Sequence, residues 1–362
     1  MRRRVGTFLF TLLCSVVVTG FLAAGGQEEQ ATELSVVDAQ GRTVTLPVMP
    51  ERIVVAGRGA IPLVDAAYLF PEAKEHLFSM VLCDQGMGTF AAALDPDFIG
   101  ENIFDETIGP EDVVAQRPDC VLMKSYMAET LGNPLEQLGI PVVYLDLESP
   151  EQFSRDVRIL GKLFGNPGRA EEVLTWYEDE TAALADALSG PSAGEDPRVL
   201  FLYRSAKGGT VSFNVPPAGW LQGQLVLKAG GEPVWTAEMV GQGWMKVGLE
   251  QIARWDPEVI FLTDYFNPLE EVKADLLSDL AWKEFRSVRE GRLYAFPSDF
   301  YVWDQPDTRW LLALKWMASK LHPEVAPVFD PEAEVPDFFE TLYGMDGDSI
   351  EGEVMSRLKG DF

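Results

Sequence analysis

Histidine is nearly missing from this chain: His76 and His322 are the only two in 362 residues. Cysteine is almost as scarce, with Cys14, Cys83 and Cys120. There is no close cysteine pair and no His-x-x-x-His spacing, so a resident zinc-type centre has no ligand set here. Nucleotide and hydrolase signatures are also lacking. The first apolar strand ends Gly57-Arg58-Gly59-Ala60 rather than Gly-x-Gly-x-x-Gly, and neither a Walker loop nor a Gly-x-Ser-x-Gly elbow occurs. A chelatase would need His and acids converging in a cleft, and the His shortage argues against one. Basic residues are few, 29 Lys and Arg against 57 Asp and Glu, for a formal net charge of −28. Such a chain repels nucleic acid and anionic headgroups. These absences point away from enzymes and nucleic-acid binders.

The N-terminus reads as a leader. Arg2, Arg3 and Arg4 precede an almost wholly apolar run from Phe8 to Ala24, closed by small residues at Gly25 and Gly26. This charged–apolar–small order is that of a secretory signal peptide, assigned to residues 1–25. The run is short for a membrane span, which needs about 20 residues. Lipid attachment would need a Cys at the cleavage point, but Gly stands there and Cys14 lies inside the apolar run. A soluble protein exported to the periplasm or another extracytoplasmic space is expected. In that setting Cys83 and Cys120 form one disulfide or remain two buried thiols; the sequence leaves both open.

The strongest positive feature is a stretch that occurs twice. Gly109-Pro110-Glu111 through Pro118-Asp119-Cys120-Val121-Leu122 is matched by Gly248-Leu249-Glu250 through Pro257-Glu258-Val259-Ile260-Phe261, offset throughout by 139 positions. Each copy reads as a short helix stopped by Pro, then a buried strand. Around them, continuous apolar strands alternate with helices, the pattern of parallel α/β sheets. Between the copies, Asn166 caps and Pro167 opens a helix whose apolar period holds to Ser189. At 1.5 Å per residue it is about 36 Å long, enough for a strut between lobes. The expected organisation is an N-terminal α/β lobe over 34–150, a connecting helical segment and linker over 151–195, a second lobe over 196–330 and a tail over 331–362.

Ligands of open α/β sheets sit beyond the carboxyl ends of the strands. That rule nominates Arg58 and Tyr126 in the first lobe and Arg204 and Tyr265 in the second. A guanidinium at a strand end either forks onto an anion or pairs with one of the many acids. All nine Trp lie at or after Trp176. Trp244 and Trp303, in or near loops with Trp220, Phe266 and Tyr301, suit a ring-bearing ligand. Trp310 and Trp316 read as core. Tyr126, Tyr203 and Tyr265 offer phenolates for bare Fe(III), but without His or clustered carboxylates a chelated metal is the better expectation. His76 and His322 read as surface residues.

The chain resembles the substrate-binding proteins of ABC importers for ferric siderophores, haem and cobalamin. The resemblance rests on Asp38, Gly41-Arg42, Val44 and Leu46-Pro47 before Arg52-Ile53-Val54-Val55, on both repeat copies, and on Gly139-Ile140-Pro141-Val142-Val143. Ala229-Gly230-Gly231 and Leu321-His322-Pro323-Glu324 complete it. Glu232-Pro233 departs from it, since the family often has Asn after the Gly pair. The resemblance implies two Rossmann-like lobes with parallel sheets on a single long helix and a cleft between them. It implies a monomer without a cofactor of its own that undergoes modest lobe movement. Its ligand would be a small-molecule metal chelate, a siderophore-like iron complex, with cobalamin, haem or molybdate and tungstate as alternatives. Delivery would be to an ABC permease dimer in the inner membrane, with Glu111 and Glu250 as the docking residues.

Overall fold

The computed structural model describes residues 33–82, 85, 87–97, 103–190 and 195–362. The leader and Cys83 lie outside the described residues. A hairpin comes first, β1 (Leu34–Val37) antiparallel to β2 (Thr43–Leu46). The carboxylate of Asp38 accepts from the backbone N–H groups of Gln40 and Arg42, and Gly41 turns the chain with φ 75°.

The first lobe is built on five parallel strands: β3 (Ile53–Val55), β4 (Leu77–Val81), β5 (Ile103–Phe104), β6 (Cys120–Met123) and β7 (Val142–Tyr144). Their order is β5-β4-β3-β6-β7. Helices α1 (Ile61–Ala67), α2 (Ala73–His76), α3 (Phe90–Leu94), α4 (Pro110–Ala115) and α5 (Asn133–Gln137) connect them. Cys120, at the start of β6, is a free and fully buried thiol pushed up to about 12 by that burial.

After α6 (Pro150–Leu163), α7 (Pro167–Leu188) runs for 22 residues. Asn166 caps it as the sequence implies, its side-chain oxygen accepting from the N–H of Arg169 at 3.0 Å.

The second lobe uses β8 (Arg198–Ser205), β9 (Ser212–Val215), β10 (Glu232–Pro233), β11 (Met245–Val247), β12 (Val259–Thr263) and β13 (Leu293–Ala295). The order is β11-β9-β8-β12-β13, with β10 beside the start of β8. Here the structure departs from a purely parallel sheet. β8 pairs in parallel with β10 and β12, but its last residues, Tyr203 to Ser205, pair antiparallel with β9, which pairs antiparallel with β11. The strand outlasts the parallel sheet, and its free end pairs with β9. Helices α8 (Leu221–Lys228), α9 (Leu249–Trp255), α10 (Leu269–Ser278) and α11 (Arg286–Arg289) complete the lobe.

The sequence repeat is a structural repeat. β6 lies between β3 and β7 as β12 lies between β8 and β13. The caps before α4 and α9 share a backbone, Gly109 at φ −89°, ψ 167° and Gly248 at φ −103°, ψ 167°. Both copies turn left-handed before their Pro, at Arg117 with φ 51° and Asp256 with φ 44°. A residue preceding Pro is disfavoured in the right-handed helical region. The strained turn is therefore part of the repeat.

Helix α12 (Trp310–Leu321) starts only after Asp307 and Arg309. The reason is an ionic cluster. Arg309, fully buried, donates to Asp299 at 2.8 Å, to Asp65 on α1 at 2.6 Å and to Asp307 at 3.3 Å. Its guanidinium also lies 4.5 Å from the ring centre of Phe90. One cation thus joins carboxylates from both lobes. Residues 331–362 close over this region. Helix α13 (Pro331–Tyr343) buries Phe338 and Phe339, and the Tyr343 hydroxyl donates to the Asp65 carbonyl at 3.2 Å. Arg357 donates to the Met87 carbonyl at 3.0 Å, and the Trp316 indole to the Asp361 carbonyl at 2.8 Å. Thr32–Phe362 is one compact unit.

Burial raises the carboxyls of Asp65 and Asp307 above their ordinary value, with the Arg309 charge opposing. The folded cluster therefore keeps protons that the unfolded chain has released. That stabilisation is complete below the ordinary carboxylate range and is lost as pH rises through the raised values. Asp307→Asn should make the loss of stability with rising pH shallower, read by urea unfolding in acidic and alkaline buffers. Equal slopes in the two proteins would contradict this. Arg309→Met should destabilise the fold by about 3–5 kcal/mol, because it strands buried carboxylates.

Candidate functional site

In each sheet the direction of strand addition reverses once. β4 flanks β3 on one side and β6 on the other; β9 and β10 flank β8 opposite β12. Crevices beyond the strand ends at such reversals receive ligands. They hold residues 57–59 and 124–126 in the first lobe, and Arg204 with 264–266 in the second.

In the first crevice Gly57 and Gly59 take φ 87° and 67°, conformations that side-chain-bearing residues rarely adopt. The turn is locked from beneath, since the Tyr126 hydroxyl donates to the Arg58 carbonyl at 2.7 Å. Tyr126 is 60% exposed, but its hydroxyl end is tucked in. That burial, with Glu148 and Glu106 behind it, raises the phenol, and Arg58 opposes the rise. The Arg58 side chain is exposed, and among the described residues no carboxylate pairs with it. Arg58 and Tyr126 line a hollow of about 420 Å³ with Glu106, Ile108 and Met127. Lys124 beside them is buried and committed to the Asp146 carbonyl and, at 3.0 Å, to Glu148.

Arg204 behaves differently. Its Nη1 pairs with Asp264 at 2.9 Å. Asp264 in turn accepts from the N–H groups of Phe266 and Asn267 at 3.0 and 3.1 Å. Arg204 neutralises the carboxylate that shapes this loop. The two strand-end arginines are therefore not an equivalent pair.

A run of rings continues from the loop. Tyr265 meets Tyr203 at 4.8 Å between centroids, Tyr203 meets Trp244 at 5.0 Å, and Trp244 meets Trp220 at 5.7 Å. All four are partly buried, and Phe266 beside them is 68% exposed. The phenol of Tyr265 is held well above its ordinary value by burial, then by Asp304. Glu148 of the first lobe also acts on it.

Trp303 requires correction. It is fully buried, its indole donating to Asp299 at 3.3 Å and its ring packing on Phe329 and Phe362. It is a core residue. Its segment has no helical or strand period, which made it read as an exposed loop. The histidines are also anchored rather than free. His322 is buried with Nε2 at 2.8 Å from the Gly230 carbonyl, and His76 Nδ1 lies 2.7 Å from that of Pro50.

A cavity of about 430 Å³ lies between the lobes, with Gln85 and Met87 on one side and Tyr265, Phe266, Phe300 and Val302 on the other. Gln85 and Gln305 exchange amide hydrogen bonds across it, at 3.1 and 3.0 Å. Lys359, from the segment assigned as a tail, also lines it. No local pattern marks Gln305 or Lys359, because both are brought in by the return of the chain after β13. Glu111 and Glu250 are exposed in the first turns of α4 and α9.

Two α/β lobes, a 22-residue helix between them and a cavity where they meet form a cleft suited to holding a ligand. The chain belongs to the periplasmic binding protein family, whose pattern matches residues 95–300. It is similar to the molybdate-binding protein MolA of Haemophilus influenzae, with 22% identity over 66% of this chain and 70% of that one. Its fold superposes on molybdate-bound MolA with a TM-score of 0.70 at 20% identity, covering 86% of this chain and 98% of that one. A periplasmic solute binding protein from Veillonella parvula gives a TM-score of 0.69 at 23% identity, covering 90% and 98%. The vitamin B12-binding protein of Pectobacterium carotovorum is 28% identical over 43% of this chain and 54% of that one, so the match spans about half of that relative. The role is that of an extracytoplasmic, non-enzymatic binding protein of an ABC transporter.

The unequal arginines give a test. Arg58→Ala should shift stability by no more than about 0.5 kcal/mol, as for an exposed side chain. Arg204→Ala should cost about 1–3 kcal/mol, because it leaves buried Asp264 without its cation. Thermal unfolding of the two variants would reveal equal losses if this asymmetry were wrong.

Proposed function

We propose that this protein captures an anionic metal chelate, a siderophore-like iron complex, in the cleft and hands it to a membrane permease. The ring run Tyr265–Tyr203–Trp244–Trp220, together with Arg58, which has no carboxylate partner among the described residues, carries this reading. Aromatic faces suit a large ring-bearing ligand, and the guanidinium suits its charge. The two hollows of about 420 and 430 Å³ match the size of such a ligand better than that of a lone oxyanion. A second reading is a molybdate-type oxyanion, supported by the similarity to MolA and by Arg58. Cobalamin and haem are the remaining candidates of the chelate class. Residues 1–25 act as the export signal, and the mature protein works as a monomer.

Native mass spectrometry of protein from its own host, with tryptophan fluorescence titration, separates these readings. A ferric chelate should co-purify and quench fluorescence. Trp244→Ala should weaken that binding by about 0.5–1.5 kcal/mol or more, the worth of an aromatic contact beyond its area. Binding of molybdate alone, unaffected by Trp244→Ala, would favour the oxyanion.

Glu111 and Glu250 serve as paired docking residues for the permease, one on each lobe. Their support is the shared backbone of their helix starts and their exposure. The acidic surface would steer that encounter in a salt-sensitive way. Glu111→Ala with Glu250→Ala should leave ligand affinity and Tm unchanged and sharply reduce transport in reconstituted vesicles. Full transport by the double variant would reduce both glutamates to helix-terminus residues.

A further inference from the structure

Seven aspartates are buried among the described residues: Asp38, Asp65, Asp156, Asp264, Asp299, Asp304 and Asp307. Six pair with an arginine: Asp38 with Arg42, Asp156 with Arg155, Asp264 with Arg204, and Asp65, Asp299 and Asp307 with Arg309. Asp304 is the exception, with no cation partner among the described residues. Its carboxylate has only neutral donors. The Tyr265 hydroxyl donates to Oδ2 at 2.6 Å, the Gln222 amide to Oδ2 at 3.3 Å and the Thr263 hydroxyl to Oδ1 at 3.3 Å. The Gln222 amide also donates to the Asp304 carbonyl at 3.0 Å, while its own oxygen is buried without a partner. A buried carboxylate without a cation is destabilising, and asparagine could accept most of the same bonds. The group sits directly behind Tyr265, whose ring lines the cavity.

We propose that Asp304 is a positioning residue for ligand binding: it pins the Tyr265 phenol inward so that the ring face is presented to the cavity, and its protonation loosens that ring. This rests on the reading of the ring run as the ligand surface. Burial raises Asp304 to about 6, so it changes charge in mildly acidic surroundings. The other titratable groups acting on the pair are Tyr203 from β8 and Glu148 from the first lobe, both through Tyr265. Asp264, next to Tyr265, is neutralised by Arg204. When Asp304 takes up a proton, its Oδ1 can donate to the Thr263 oxygen. The bond from Tyr265 then loses its charge assistance, roughly half its strength. The pinning also bears on the ligand. Tyr265 is committed to Asp304, and Tyr126 to the Arg58 carbonyl. Neither of these two phenols is free to bind a metal, which favours a metal already held by its chelator.

The test uses full-length mature protein with isotope-labelled tyrosine Cζ, the Tyr265 resonance being assigned by its loss in Tyr265→Phe. Between about pH 5 and pH 8 that resonance should titrate in wild type and stay fixed in Asp304→Asn. In parallel, a ferric bis-phenolate aminocarboxylate chelate, which is anionic, carries two aromatic rings and keeps its iron across this range, is titrated by tryptophan fluorescence. Wild-type affinity should fall at least about threefold from the alkaline to the acidic end, whereas Asp304→Asn should bind with little pH dependence. Should Asp304→Asn fail to fold, Tyr265→Phe should show the same flattened affinity profile. A Tyr265 resonance that ignores pH in wild type, or titrates equally in Asp304→Asn, overturns the pinning. With the pinning intact, identical affinity profiles overturn the positioning role. Failure of wild type to bind the chelate at any pH strikes the ring-run reading itself and removes the positioning role with it.

Discussion

The structure turns on one guanidinium. Arg309 is fully buried and holds Asp65 of the first lobe together with Asp299 and Asp307 of the second. Three carboxylates at one cation leave excess negative charge, which burial resolves by retaining protons. The same contacts fix the path of residues 299–309. From that path hang the Tyr301 ring, the Trp303 core anchor, Asp304 behind Tyr265, and Gln305 against Gln85. The second-lobe wall of the cleft is therefore located by a contact at its back. The aromatic packing of Phe90 and Phe339 around the guanidinium keeps water from this cluster.

With the lobes tied at Arg309, by the Gln85–Gln305 pair and by Arg357 on the Met87 carbonyl, the 22-residue helix is not the sole connection. Arg169 at its start donates to the carbonyls of Leu69, Thr341 and Leu342, joining the ends of the first lobe's α1 region and α13. Lys315 bridges Glu180 on the helix and Glu334 on α13. Such bracing agrees with ligand capture by local adjustment rather than by wide hinge bending.

Much of this was legible in the residues because it is local. The Gly109 and Gly248 repeat carries its caps, its left-handed turns and its strands within about a dozen positions of each copy. Strand-end logic placed Arg58, Tyr126, Arg204 and Tyr265 at the strand-order reversals. What escaped was set by contacts distant in sequence. Arg309 and Asp65 are 244 positions apart, and nothing near either marks the other. Arg204 looked equivalent to Arg58 until its partner across β8 and β12 was known. Trp303 looked like a loop aromatic because the residues that bury it, Phe329 and Phe362, come later in the chain. Lys359 at the cavity was hidden for the same reason.

Residues 331–362 carry a consequence for how the molecule is made. They complete the core through partners far back in the chain: Tyr343 reaches Asp65 across 278 positions, and Arg357 reaches Met87 across 270. Loops of that length must close before their contacts repay the lost chain entropy, so high contact order slows folding. The contacts of residues 331–362 with the first lobe therefore belong to the slow-forming part of this fold, while the short helix–strand corners at Gly109 and Gly248 close over about a dozen residues.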